Sequence, residues 1–408
     1  MTGADRPQLH PAVTAETRTG PQSPWRRPMR PRRPDEEHRA ATPLELLFDL
    51  CFVVAVASAA AELHHAVSED HAASGVVGYL AVFFAIWWAW MNFTWFASAF
   101  DTDDGVYRLT TLVQMAGVLV LAAGVPAVAE DGDFGIVTLG YVVMRLAMVG
   151  QWLRAAASAP EFREPALRYA VLVTAVQALW LLRLLLPEAL LWPAVVVLIA
   201  AELAVPALAE RRLVTPWHPE HIAERYGLFT LIVLGEVILG ATNAVTEALT
   251  EHTAELLRLL TLAAAGLVVV FALWWLYFDE PRDDLLAGRR LPLLWGYGHY
   301  AVFAATAAVG SGLEVAIDVD TGAYAGSELA GDLAVPLPVA VFLLVVWALH
   351  VRHRGDHYGP VAQVGFPIGA VLVLVTAFLG APVQLTAVVL AGLVAAVQVT
   401  KDRVAAGG

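Results

Sequence analysis

The chain has 408 residues, of which 58% are hydrophobic and 15% are charged, and this balance excludes an ordinary soluble domain. The net charge of -13 does not identify a partner, because acidic and basic residues lie in different connections between long apolar runs. The chain has one lysine, Lys401, which follows the last apolar run. A phosphate-binding P-loop and an internal Schiff base are therefore excluded, and no cofactor is expected.

Residues 1–42 are rich in proline, contain eight arginines and lack an apolar run. Such a segment cannot form a hydrophobic core, which predicts a disordered cytoplasmic tail. The stretch PWRRPMRPRRP within it has two interpretations. It could bind anionic lipid headgroups, or its charge could serve only to keep the N-terminus inside. Residues 401–408 are predicted to form a second, short cytoplasmic tail.

Twelve apolar runs lie between these tails, each close to the length of about 20 residues that crosses a bilayer as a helix. They cover residues 44–65, 75–99, 108–127, 134–154, 167–186, 189–209, 222–244, 256–277, 293–316, 333–350, 361–380 and 382–399. The predicted fold class is an all-α polytopic membrane protein with about 12 transmembrane helices over residues 43–400.

Basic residues occupy alternate connections between these runs, whereas the other connections are acidic and carry Arg258 as their single basic residue. Connections rich in arginine and lysine remain in the cytoplasm. Both termini are therefore predicted to lie inside. The cationic face would then lie against anionic lipid, so the bilayer is the expected partner and nucleic acid is not.

The membrane region shows signs of an internal duplication. Phe100-Asp101 and Phe278-Asp279 each follow an aromatic run and are 178 positions apart, and Glu45 and Glu224 are 179 positions apart. Six helices per copy would give both copies the same orientation, as in a parallel repeat. We predict repeat halves at 43–210 and 220–400. The interface between them could form a functional path or could serve packing alone.

Several acidic residues near predicted helix ends are interpreted as caps or clamps. Thr42-Pro43-Leu44-Glu45 has the pattern of a capping box, in which Glu45 accepts from the backbone of Thr42. Pairs of aspartates follow two of the apolar runs beside Arg108, Arg282 and Arg289, and we expect them to form ion pairs or caps and not to bind substrate. The cap and clamp residues are Glu45, Asp101, Asp103, Glu224, Asp279 and Asp283.

Ionisable side chains deep inside the apolar runs are costly and are therefore candidates for function. Asp49 lies one turn deeper than Glu45, and Glu236, Arg145 and Glu202 lie near the middle of their runs. Arg145 could form a structural ion pair with either glutamate. Two acids and one arginine leave one carboxyl group in excess, and the second interpretation is that this group binds a proton or a cation.

The remaining candidates for a proton, ion or substrate pathway are Asn92, His299 and Glu314. Glu62, His64 and His65 end the first run, and Glu314 and Asp318 end the ninth, so these groups could form an outer vestibule or could be solvated helix ends. No metal site is predicted, because arginines surround the histidine group His350, His353 and His357.

Four segments are similar to the bacterial low temperature requirement A family: ATPLELLFDLCFVVAVASAAAELHH, NFTWFASAFDTDDGVYRLTTLVQMAGVLVLAAGVP, ERYGLFTLIVLGEVILGAT and LWGYGHYAVFAATAAVGSGLEVAI. The resemblance extends from Pro43 to Thr400, and Cys51 stands where many members have a hydrophobic residue. It implies a protein of the bacterial cytoplasmic membrane, associated by name with growth in the cold, without implying a substrate. The polar positions of the family correspond to Glu45, Asp49, Asn92, Asp101, Asp103, Arg145, Glu224, Glu236, His299 and Glu314.

We expect a proton- or ion-coupled secondary transporter, with a small molecule or an ion as substrate. The alternative is a non-transporting membrane protein that supports growth in the cold or under other stress. A channel is a further class, and an enzyme is not expected because neither a metal cluster nor an activated nucleophile is evident. A water-accessible cavity that reaches Glu236 between the halves would favour transport, whereas a sealed ion pair would favour a structural role.

Overall fold

The computed structural model describes residues 25–32, 40–251, 256–279, 292–352 and 355–407, and all regular structure in these ranges is helical. A single turn of 3₁₀ helix, Pro160–Phe162, and a π-helical turn, Trp347–Val351, interrupt the α-helices. The α-helices are α1 Pro43–Ser68, α2 Ala72–Phe100, α3 Gly105–Ala123, α4 Val125–Asp131, α5 Gly135–Ser158, α6 Arg163–Arg183, α7 Glu188–Ala209, α8 Pro219–Glu251, α9 Leu256–Phe278, α10 Pro292–Thr321, α11 Glu328–Leu333, α12 Pro336–Val346, α13 Gly355–Thr376 and α14 Pro382–Gly407.

Within the described ranges, ten helices are long and apolar enough to cross a bilayer. Three of these ten spans are composite: α3 and α4 form Gly105–Asp131, the 3₁₀ turn and α6 form Pro160–Arg183, and α11, α12 and the π-helical turn form Glu328–Val351. The predicted runs 222–244 and 361–380 coincide with α8 and with α13, whose apolar part Val361–Thr376 is shorter. The all-helical membrane fold is therefore confirmed, and the count of twelve spans stays a prediction.

Consecutive helices pack in the same order in the two parts of the chain. In the first part, α1 packs against α2 and α3, followed by the pairs α3–α5, α5–α6 and α6–α7. In the second part, α8 packs against α9 and α10, followed by α10–α12, α12–α13 and α13–α14. Two copies of one six-helix unit would pack in this way, and the duplication stays a prediction. Helix α1 also packs against α8 and α10, so it joins the two parts.

The segment 25–32 differs from the prediction of a disordered tail, because it packs against the connection between α2 and α3. Met29 is fully buried in the main hydrophobic core. The backbone N–H of Arg27 donates to Asp104 Oδ2 at 2.6 Å, and Arg154 donates to the Arg27 carbonyl at 2.8 Å. The composition did not predict this docking, because it depends on one buried methionine and on backbone hydrogen bonds, among them those from Arg32 N–H to the Ala99 carbonyl and from Val106 N–H to the Trp25 carbonyl.

Asp104 is the N-cap of α3 and is buried against Arg154, with which it forms an ion pair. Burial alone would raise the pKa of Asp104. Hydrogen bonds from Arg154 and from the backbone N–H groups of Arg27 and Tyr107 outweigh that effect, and they hold the pKa of Asp104 below its usual value.

Asp104→Asn is expected to lower the free energy of unfolding by about 3 kcal/mol at neutral pH, because it leaves the buried Arg154 without its carboxylate. Since the pKa of Asp104 is lowered by folding, its contribution is present above about pH 4 and is lost as pH falls through the folded-state pKa. The difference between wild type and variant should therefore shrink on acidification in detergent unfolding curves. Asp103→Asn, at an exposed ion pair with Arg108, should change stability little at any pH. A difference for Asp104→Asn that does not depend on pH would contradict this account.

Candidate functional site

A cavity of about 690 Å³ lies between α1, α8 and α10, where the two parts of the chain meet. The three helices run in the same direction, and the cavity lies along the C-terminal half of α1 and of α10 and beside the middle of α8. Small residues leave the space, and acidic and histidine side chains supply its polar surface. The lining includes Val56, Ala57, Ala60, Ala61, His64, His65, Val233, Glu236, Gly240, Ala307, Ser311, Glu314 and Asp318.

A polar cluster spans α1 and α10 on one wall of this cavity. The two ring nitrogens of His64 face different carboxylates, with Asp318 at 2.7 Å and Glu314 at 3.5 Å. Ser68 donates a further hydrogen bond to Asp318 at 2.7 Å. The cluster therefore holds two carboxylates and one imidazole at the cavity surface. Across the described ranges, no three or more His, Cys, Asp or Glu side chains are grouped so that they could hold a metal ion.

Glu236 lies deeper in the cavity, on α8, and its side chain is half-buried. Within the part of the chain that the structure describes, its carboxyl group forms no hydrogen bond or ion pair. It is therefore the carboxyl group that the sequence predicted to be in excess, and it faces open space.

Gly240 lies one turn after Glu236, and its lack of a side chain leaves space for the Glu314 carboxyl group. A Cβ atom added at this position would lie 2.5 Å from Glu314 Oε1, which is closer than real contacts allow. The glycine therefore lets the Glu314 carboxyl group from α10 approach α8 in the same cavity as Glu236.

The other half of the same three helices is closed by buried polar pairs. Asp49 Oδ1 of α1 accepts from Arg225 Nη2 of α8 at 2.6 Å and from Trp90 Nε1 of α2 at 2.7 Å. The side chains of Asp49 and Arg225 are both fully buried. This buried ion pair joins the two parts of the chain. Removing either partner would leave an uncompensated buried charge and would be strongly destabilising.

One turn nearer the N-terminus of α1, Glu45 makes a second connection to α8. Its carboxylate accepts from the Thr42 backbone at 2.8 Å, so the predicted capping box is present, and its other oxygen lies 3.0 Å from His221 Nε2. Glu224 accepts from the backbone N–H of Ala41 at 3.1 Å, which ties the start of α1 to α8. Glu45 thus caps α1, and both Glu45 and Glu224 hold the start of α1 against α8.

Aromatic rings fill the space between these ion pairs and the cavity. Trp90 stacks on Phe229 of α8 with ring centroids 4.5 Å apart and meets Phe303 of α10 edge-on at 5.6 Å. Along α8, Arg225 and Glu236 are separated by eleven residues, about 16 Å of helix. One face of α8 therefore passes from a buried charged layer, through an aromatic layer, to an open polar cavity.

Sequence comparison identifies the family. The family model described as bacterial low temperature requirement A protein (LtrA) matches residues 40–399. The chain belongs to the LtrA family. It is also similar to an uncharacterised protein, RA0937, from Rhizobium meliloti (strain 1021), at 26% identity over 350 residues, which are 78% of this chain and 79% of the relative. The resemblance seen in the sequence is thereby confirmed.

In this LtrA chain, Arg145 pairs with Glu202 and not with Glu236. The pair is buried between α5 and α7, and Glu202 also accepts from Trp88 Nε1 at 2.8 Å and from the Tyr141 hydroxyl at 3.3 Å. Arg145 and Glu202 are thus both buried within the first part of the chain. Of the two alternatives for Arg145, the structure shows the pair with Glu202, which leaves Glu236 in the cavity.

Asn92 and His299, two further pathway candidates, lie outside the cavity. Asn92 donates to the Trp88 carbonyl of its own helix at 2.7 Å. His299 is buried among aromatic rings, donates from Nδ1 to the Trp295 carbonyl at 2.7 Å and lies 3.0 Å from the Tyr277 hydroxyl. Of the seven predicted pathway residues, Glu236 and Glu314 share the cavity, Arg145 and Glu202 pair with each other elsewhere, and Asp49 lies in the closed layer.

Of the predicted aspartate clamps, Asp103 pairs with an arginine named in the prediction, and Asp279 takes a different partner. Asp103 pairs with the exposed Arg108 at 2.7 Å, and Asp101 accepts from the backbone N–H of Asp103 at 3.1 Å. Asp279 pairs with Lys401 at 3.0 Å, which ties α9 to α14. Asp283, Arg282 and Arg289 lie outside the described residues.

Sequence reasoning missed Arg225 and His221 and left His64 undecided. Arg225 lies three residues inside the predicted run 222–244, where a basic residue is typical of a cytoplasmic helix end, whereas α8 begins at Pro219 and the Arg225 side chain is fully buried. The signal that could have found it is its spacing of eleven residues from Glu236, which places both near one helix face. His64, Glu314 and Asp318 line the cavity, and their role as an outer vestibule stays a prediction.

Proposed function

We propose that this LtrA protein is a proton- or ion-coupled secondary transporter, with the cavity as its access path and Glu236 as the group that exchanges a proton or a cation. The observation that carries the proposal is an uncompensated carboxyl group in an open cavity at the junction of the two parts of the chain. Ionisable groups inside spanning helices typically mark ion pathways, and transporter sites typically lie between repeats.

The membrane orientation in this proposal follows the charge of the connections. Both termini lie in the cytoplasm of a bacterial cell, and the protein resides in the cytoplasmic membrane. The Ser68 end of α1 then faces outward, so the cavity opens to the outside and the layer of Asp49 and Arg225 closes the path to the cytoplasm. The arrangement corresponds to one end state of alternating access.

The opposite end state requires α1 to separate from α8 at the cytoplasmic end. Three contacts oppose that movement: Asp49 with Arg225, Glu45 with His221, and the hydrogen bond from the Ala41 backbone to Glu224. On this account a ligand in the cavity draws α1, α8 and α10 together around Glu236 and Glu314, and the cytoplasmic pairs open in exchange. Binding energy in the cavity offsets the cost of breaking a buried ion pair.

The test of this function is solute-driven proton movement in proteoliposomes. Pools of cations, amino acids, sugars and metabolites are added to vesicles that contain the protein and an internal pH dye, with and without an imposed pH gradient. A transporter shows dye responses to particular pools and uptake that depends on the gradient. A non-transporting membrane protein, the alternative reading, gives the same response as empty vesicles for every pool.

The orientation and the cavity can be tested together by cysteine labelling, because Cys51 is the single native cysteine. In a Cys51→Ser background, Ala61→Cys at the cavity wall should react with a membrane-impermeant maleimide added outside intact cells. The control Ala55→Cys, fully buried on the same helix, should remain unlabelled. Labelling of Ala61→Cys from the cytoplasmic side alone would contradict the orientation, and equal labelling at both positions would contradict the cavity.

A further inference from the structure

A second charged group in the membrane region has no hydrogen-bond or ion-pair partner among the described residues and does not line the cavity described above. Arg183 is the last residue of α6, and it is only 3% exposed. Its guanidinium lies over the ring of Phe134, with its central carbon 4.5 Å from the ring centroid, and 6.0 Å from that of Trp180. Across the described residues, no carboxylate or carbonyl accepts a hydrogen bond from it.

Arg183 lines an apolar crevice formed by α2, α5, α6 and α7. The walls include Ala81, Ala85, Val137, Val195 and Ile199. The free volume is about 50 Å³, enough for a few water-sized atoms and thus for a group of the size of phosphate.

The guanidinium and indole groups at this crevice are hydrogen-bond donors, and the Thr138 hydroxyl, which can donate or accept, also lines it. Besides Arg183, the indole N–H of Trp180 is buried and has no acceptor among the described residues. Tyr141 also lines the crevice, and its hydroxyl donates a hydrogen bond to Glu202. No acidic side chain lines the crevice in the described ranges. A buried guanidinium with an unused fork of donors matches a bidentate oxyanion.

The depth of Arg183 identifies the source of that oxyanion. Helix α6 has 21 residues from Arg163 to Arg183, about 30 Å of rise, which equals the hydrocarbon thickness of a bilayer. Arg183 therefore lies at the level of the phosphates of one leaflet. The neighbouring surface of α6 and α7 exposes Leu182, Val196 and Val197, against which an acyl chain can lie.

We propose that the Arg183 crevice is a phospholipid site, in which the guanidinium binds the lipid phosphate and an acyl chain packs along α6 and α7. In the orientation proposed above this lipid belongs to the outer leaflet. The site is separate from the Glu236 cavity, and its existence does not depend on whether the protein transports a solute.

The test is binding of phosphatidylglycerol to the delipidated full-length protein, measured by native mass spectrometry. Arg183→Gln should weaken binding of the first lipid at least about tenfold. The matched control is Arg168→Gln on the same helix, whose side chain pairs with Glu164, and it should change binding by less than about twofold. Diacylglycerol with the same chains should bind wild type and Arg183→Gln equally, because it has no phosphate.

Three outcomes would overturn the proposal. Equal phosphatidylglycerol binding by wild type and Arg183→Gln would show that the guanidinium is held only by the helix C-terminus and the aromatic rings. Displacement of the lipid by inorganic phosphate, with tight binding of phosphate alone, would assign the crevice to a free anion. If Arg183→Gln does not fold, Val195→Trp fills the crevice and leaves the arginine, and unchanged lipid binding by that variant would also refute the site.

Discussion

Replacing Glu236 with glutamine is expected to abolish proton-coupled flux while leaving the protein folded. The amide preserves the shape of the side chain and removes its ionisation, and no described residue loses an ion-pair partner. Glu202→Gln is the matched control, since its carboxylate lies on α7 in the membrane region and is paired with the buried Arg145. That variant leaves the arginine without its counter-ion and should cost about 3–5 kcal/mol of stability.

The two measurements are unfolding in detergent and pH-gradient-driven flux in proteoliposomes. The expected result is a folded, inactive Glu236→Gln protein beside a destabilised Glu202→Gln protein. Loss of stability in Glu236→Gln, rescued by Arg145→Gln, would show that the arginine pairs with Glu236 after all. Full stability with unchanged flux and pH response would leave Glu236 as a tolerated polar contact and would remove the basis of the proposed function.

Breaking the buried pair between Asp49 and Arg225 is expected to have the second large effect. Asp49→Asn or Arg225→Gln alone should lower the free energy of unfolding by about 3–5 kcal/mol, because each leaves a buried partner uncompensated. The double variant should be more stable than the sum of the single changes predicts, since the remaining amides have no net charge. Unfolding curves of the four proteins measure the coupling energy.

The same double variant also tests the assignment of this layer as the closed end of the path. With the ion pair absent, α1 and α8 should separate more readily at that end, and fewer molecules should present the open cavity on the other side. Labelling of Ala61→Cys from outside should then slow relative to the Ala61→Cys protein with an intact pair. The matched control, Asp103→Asn at the exposed pair with Arg108, should leave the labelling rate unchanged. An unchanged rate in the double variant would indicate that the pair only stabilises the fold.

The amino-acid sequence by itself determined the membrane character, the positions of the helices and the family. Bilayer thickness requires apolar runs of a set length, so composition along the chain is enough to find them. The predicted runs coincide with helices in the described ranges, and the capping box at Thr42 and Glu45 was recognisable because its partners are three residues apart. Local features of this kind depend on neighbours along the chain.

The pairing of the charges was decided by the tertiary structure alone. Arg145 is 57 residues from Glu202, and Asp49 is 176 residues from Arg225, so nothing local selects these partners over Glu236. Packing of α5 against α6 and of α6 against α7 brings Glu202 near Arg145, and packing of α1 against α8 buries Arg225 on Asp49. Glu236 remains unpaired because the small residues around it on α1 and α10 leave an open cavity and supply no cation that neutralises it in the described residues. Which carboxyl group remains unpaired is therefore a property of helix packing.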